Sequence, residues 1–130
     1  MSYENSHNLS LENDFATYRI KSRLVFLNFK TDVYLDLIAA QRVVADRLLI
    51  QEGRDYCVIC DVTGVWSATI AALDHFAGVG SEQIKAVAFI TSSELAYSKL
   101  NLYLNNFIQP VESKIFCNQP QAVKYLSSFL

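Results

Sequence analysis

Two short runs in this chain, Cys57-Val58-Ile59-Cys60 and Ala86-Val87-Ala88-Phe89-Ile90, are apolar at every position. Successive side chains of a strand point to opposite faces of its sheet. A strand with no polar face therefore needs cover on both sides, the situation of parallel sheets flanked by helices. Stretches with helical spacing do stand between and around these runs. The expectation is an α/β domain in which strands are joined by right-handed helical crossovers.

The remaining elements fill in that plan. Asp14 to Ile20 and Arg23 to Phe29 read as strands joined by a hairpin at Lys21-Ser22. A helix follows over about Leu35 to Gln51, with Asp32 and Asp36 as N-terminal capping groups and Gly53 as its stop. Leu37, Val44 and Leu48 share one face of it, and Arg42, Asp46 and Arg47 break the apolar pattern as a half-buried helix requires. Tyr56 to Val62 is a strand, Ser67 to Ala77 a helix, and Ile84 to Thr91 a strand. Glu94 to Ile108 is a helix whose stripe of Leu100, Tyr103, Leu104, Phe107 and Ile108 is the clearest in the chain. Pro110 ends it. Lys114 to Cys117 is a last short strand, and Pro120 opens a closing helix with Val123, Leu126, Phe129 and Leu130 on its apolar side. The order is ββαβαβαβα, a mostly parallel sheet of five strands with the first antiparallel. Residues 1–13 are expected to be a flexible N-terminal segment and 14–130 one domain.

Composition narrows the function classes. With 52% apolar and 18% charged residues the chain can bury a core. A net charge of −2 provides no basic field for nucleic acid. The polar N-terminus lacks the apolar core of a secretory signal, and no apolar run reaches the roughly 20 residues of a membrane span. The expectation is a cytoplasmic protein with no membrane span.

Candidate chemistry is sparse. Cys57 and Cys60 have a C-x-x-C spacing, but three residues apart on a strand they face opposite ways, so neither zinc nor a disulfide is expected; they read as buried thiols. There is no G-x-S-x-G, no G-x-G-x-x-G and no phosphate-loop motif, and neither His7 nor His75 stands near a recognisable nucleophile. No catalytic residue, metal or cofactor is expected. Carboxylates such as Asp14, Asp32, Asp46, Glu52 and Asp55 sit as surface, cap or turn residues. Asn101 and Asn105, one helical turn apart, either line a polar site or face solvent. Ligands of open α/β sheets favour the carboxyl ends of parallel strands, and the segment Asp61-Val62-Thr63-Gly64-Val65-Trp66-Ser67 occupies such an end. Asp61 closes a buried strand, Thr63-Gly64 makes a turn, and Ser67 is placed to cap the next helix. These are ordinary turn and cap residues, or else a binding surface at a helix start. Trp66 either packs on the sheet or stays open as a contact.

With this element order and the Asp61-Val62-Thr63-Gly64-Val65 turn, the chain resembles SpoIIAA-like, or STAS-domain-like, proteins, in particular small bacterial STAS/SEC14-like ones. Gly80-Ser81-Glu82-Gln83-Ile84-Lys85-Ala86-Val87-Ala88, the stretch Asn101 to Phe107 and Lys114-Ile115-Phe116 carry the rest of the likeness, over roughly residues 14 to 130. The resemblance implies successive strands side by side and the main helices on one face. It also implies a non-enzymatic regulatory or protein-interaction domain, with Asp61, Thr63, Gly64, Trp66 and Ser67 at the contact. Anti-sigma factor antagonists of this fold are phosphorylated within a D-S-S-G sequence that is absent here, so Thr63 and Ser67 match that switch only in part. The alternative implied is a SEC14-like carrier or sensor of a small apolar ligand or lipid. A large apolar pocket favours the carrier; a closely packed core with a flat surface around Trp66 favours the interaction domain. Helices on one face would leave the other open, and a homodimer is its simplest cover.

Overall fold

The computed structural model describes residues 9–106 and 110–130. Its main sheet has six strands: β1 (Ser10–Glu12), β2 (Ala16–Lys21), β3 (Leu24–Phe29), β5 (Tyr56–Asp61), β7 (Ile84–Ile90) and β8 (Glu112–Phe116), side by side in that order. Strands β1, β2 and β3 are antiparallel, and β3, β5, β7 and β8 run parallel. A separate pair of short parallel strands, β4 (Val33–Leu35) and β6 (Val65–Ala68), stands apart from this sheet. The helices are α1 (Leu37–Gln51), α2 (Ile70–Ala77), α3 (Glu94–Asn106) and α4 (Gln119–Leu126).

The sixth strand is β1, in a segment expected to be flexible. It is ordered because Asn13 is anchored: its Oδ1 accepts from the amides of Phe15 and Ala16, and its Nδ2 donates to Tyr18 and Asp46. Pairing of Ser10–Glu12 with Thr17–Arg19 follows from that anchor. The β2–β3 hairpin turns at Ser22-Arg23, one residue later than its expected link. Both residues have positive φ, 53° and 68°, as the inward-twisting two-residue hairpin turn requires.

The two faces of the central strands are divided as their alternation dictates. The rows Val25–Val58–Val87 and Leu27–Cys60–Phe89 lie on one face, with α1 and α2 above them. Leu24, Phe26, Cys57, Ile59, Ala86, Ala88 and Ile90 lie on the other. There α4 covers them with Ala122 and Leu126, both fully buried, and with Tyr125 and Phe129. The helices α1 and α2 thus share one face, as the resemblance implies, and the closing helix α4 takes the other. Arg19 lies over the Phe26 ring, 5.0 Å from its centroid, and helps close the edge of this second face. The surface for which a second copy of the chain was the simplest cover is thus covered within the chain.

Local sequence sets the helix ends. Asp36 Oδ1 accepts from Ala39 N–H at 2.8 Å and starts α1; Glu52 and Gly53, with φ of 52° and 79°, stop it. Asn118 Oδ1 caps α4 through Gln121 N–H, with Pro120 in its first turn. Val123 and Leu130, expected on the inner side of this helix, are exposed instead. The inner face runs through Ala122, Tyr125, Leu126 and Phe129, one residue around the helix.

Candidate functional site

The turn after β5 is built by its own short-range bonds. Asp61 accepts from the Thr63 amide at 2.9 Å, and the Val65 amide donates to Val62 O at 3.0 Å. Gly64 passes directly under the chain at Lys30: a Cβ there would collide with the Lys30 carbonyl oxygen. The Gly64 carbonyl in turn accepts from Val33 N–H. Asp61, Thr63 and Gly64 are therefore a turn and a close crossing, which accounts for these residue types without a ligand.

The helix start lies elsewhere than expected. Residues 65–68 are strand β6, and α2 begins at Ile70 with Thr69 as its cap, its Oγ1 accepting from Ala72 N–H. Among the described residues Ser67 caps no helix, and neither Thr63 nor Ser67 stands at a helix N-terminus. The four-residue strand escaped the sequence reading because Val65 to Ala68 is too short to display a period of two. Of the two placements open to Trp66 the structure shows the exposed one: it is 67% exposed, and its ring lies 6.2 Å from that of Tyr34 on β4.

Trp66 and Ser67 do meet a feature of a different kind. Between the α1/α2 face of the sheet and α3 lies a cavity of about 420 Å3. Its floor is Leu27 and Phe29 of β3, Val58 and Cys60 of β5, and Val87 and Phe89 of β7. Val43 and Val44 of α1 and Leu73 and Phe76 of α2 form further walls, and Ala96, Leu100 and Tyr103 of α3 close it. Trp66 and Leu102, 67% and 60% exposed, are part of the lining, so the cavity reaches the surface beside them. Of the five residues singled out in the sequence, the structure brings Trp66 and Ser67 to this space and leaves Asp61, Thr63 and Gly64 outside its lining.

The cavity exists because α3 does not fill it. This helix of 13 residues buries none of them, although it carries the clearest apolar stripe in the sequence. Leu100 and Tyr103 of that stripe face the cavity; Phe107 and Ile108 lie outside the described residues. Asn101 and Asn105 are exposed, on a separate, more open groove shared with β8. Interiors ordinarily hold few voids larger than a water molecule, while small-molecule sites are mostly apolar clefts of roughly 300–1,000 Å3.

Two ionisable groups on the wall are set by burial. Desolvation pushes the Cys60 thiol up to about 12, so it is held as a neutral thiol. Cys57 points to the opposite face of the sheet, as its spacing from Cys60 requires, and burial raises it too. Arg47 is 2% exposed. It donates to Gln51 Oε1, Gly80 O and Glu82 O, tying the end of α1 to the Val79–Ser81 turn and the start of β7. Desolvation pulls it down to about 10, leaving it cationic at neutral pH. The sequence placed Arg47 among the charges of a half-buried helix and gave no sign that it is the one turned inward. Its i, i+4 spacing to Gln51, another fully buried polar residue, is the only local signal.

Among the described residues no helix is long and apolar enough to cross a membrane. No curated protein matches the chain. Among solved structures it is similar to an uncharacterised protein of the DUF3478 family, with a SpoIIAA-like fold, from Shewanella loihica PV-4. The match covers 92% of this chain and 91% of that one, with a TM-score of 0.58 and 17% identity. At that identity the likeness concerns the fold, and the fold is SpoIIAA-like, as the turn and element order imply. A family model, a domain of unknown function designated DUF7793, matches residues 18–130. The chain belongs to the DUF7793 family.

Proposed function

We propose that this protein binds a small apolar molecule in the space between its sheet and α3, and acts by binding rather than by chemistry. The observation that carries this reading is the cavity itself: about 420 Å3, with a floor of aliphatic and aromatic side chains under a helix none of whose residues is fully buried. The side chains around an apolar space of this size make fewer dispersion contacts with one another than a packed core does, and an apolar ligand supplies them. The neutral Cys60 thiol on the floor supports binding over covalent catalysis. Titration with a neutral fluorescent probe, N-phenyl-1-naphthylamine, tests the reading. One equivalent is expected to bind with enhanced emission, and Ala96→Trp, which fills the cavity from α3, is expected to abolish the binding while the protein stays folded. Binding unaffected by Ala96→Trp would place the probe elsewhere and refute the assignment.

A second reading, recognition of a protein partner around Thr63 to Ser67, draws on the exposed Trp66 beside Tyr34. The same variant separates the two, because filling the cavity leaves the outer surface of β4 and β6 intact.

A further inference from the structure

The full charges on the cavity lining are Arg47 and Lys99; among the described residues no carboxylate joins them. This is a bias, since the chain carries 13 acidic and 11 basic residues in all. Arg47 is fixed in the wall by three neutral oxygens, those of the Gln51 amide and of the Gly80 and Glu82 carbonyls. They satisfy its hydrogen bonds without cancelling its charge, and it makes no ion pair among the described residues. Lys99, exposed on α3, makes none there either. The Glu82 carboxylate acts on Arg47 only through space, without contact; a buried cation lacking a paired anion is costly, and an anion entering the same low-dielectric space offsets that cost. The apolar floor calls at the same time for a hydrocarbon body. With about 30 Å3 for a water-sized group, a cavity of about 420 Å3 holds a chain of roughly a dozen carbons. That suits a single acyl chain.

Resting on the binding proposed above, we propose that the occupant is a single-chain fatty-acid carboxylate. Its chain lies on the Val58–Val87 floor and its head group is drawn in by the charges of Arg47 and Lys99. The unmodified protein tests this without risk to its folding, by displacement of N-phenyl-1-naphthylamine with three ligands of equal chain length: dodecanoate, dodecanol and dodecylammonium, each below its micellar concentration. Dodecanoate is expected to displace the probe at concentrations about tenfold or more below dodecanol, the scale of one charge-assisted hydrogen bond, with dodecylammonium weakest. Lys99→Glu, at an exposed position, is expected to weaken dodecanoate about threefold or more and leave dodecanol unchanged. Equal affinity for dodecanoate and dodecanol would overturn the carboxylate assignment while leaving apolar binding intact. Failure of the probe itself to bind would overturn the binding reading and the carboxylate with it.

Discussion

Gly64 shows how one residue serves the fold at the place where a ligand was looked for. Its turn stands at the carboxyl end of β5, and the crossing at Lys30 leaves no room for a side chain. Gly64→Ala is expected to destabilise the protein by about 2–3 kcal/mol, the usual scale of forced overpacking. Urea denaturation measures it; a change below about 0.5 kcal/mol, typical of an unconstrained surface site, would mean that the crossing relaxes freely. The cysteines divide as cleanly. Cys57 and Cys60 are buried on opposite faces with thiols raised by desolvation, whereas Cys117 is exposed. A thiol reagent at pH 8 is expected to modify Cys117 promptly and the other two only on unfolding, giving three thiols in denaturant. The opposite orientation of Cys57 and Cys60 could be read from a strand's period of two. The inward turn of Arg47 could not, because its partners Gly80 and Glu82 are more than 30 residues away.

Elements were readable to the extent that their pattern was longer than their period. The strands β2, β3, β5, β7 and β8 and all four helices follow from apolar runs and from helix-start residues such as the Asp36 cap and the first-turn Pro120. The three- and four-residue strands β1, β4 and β6 do not, since they depend on partners: β1 on the Asn13 anchor, β4 and β6 on each other. The reach of α3 was not legible either. Its stripe is the clearest in the chain, but a stripe records what a helix can cover, not how closely it approaches. The β2–β3 turn also broke the expected sequence rule, since Ser22 and Arg23 adopt positive φ without glycine or asparagine. Replacing them by the pair favoured there, Ser22→Asn with Arg23→Gly, is expected to raise stability by about 1 kcal/mol by relieving left-handed strain. Thermal unfolding checks it, and a lowered midpoint would contradict it.

The two faces of the molecule are packed differently, and that difference carries its proposed activity. On the α4 side, Ala122 and Leu126 close completely over Ile59, Ala88 and Cys57. On the other side α1 and α2 pack over part of the sheet, and α3 stands over the rest with its inner side chains only half-buried. A chain that fills one face and leaves space on the other has a ligand-sized gap, not a uniformly loose core. Methyl-resolved NMR tests this most directly, with leucine, valine and isoleucine methyls labelled and dodecanol added as a neutral ligand. The account predicts that Val58, Val87, Leu73 and Leu100 shift together as one equivalent is added, while Leu24, Ile59 and Leu126 stay in place. Shifts on the α4 face, or none on either face at saturating ligand, would contradict it.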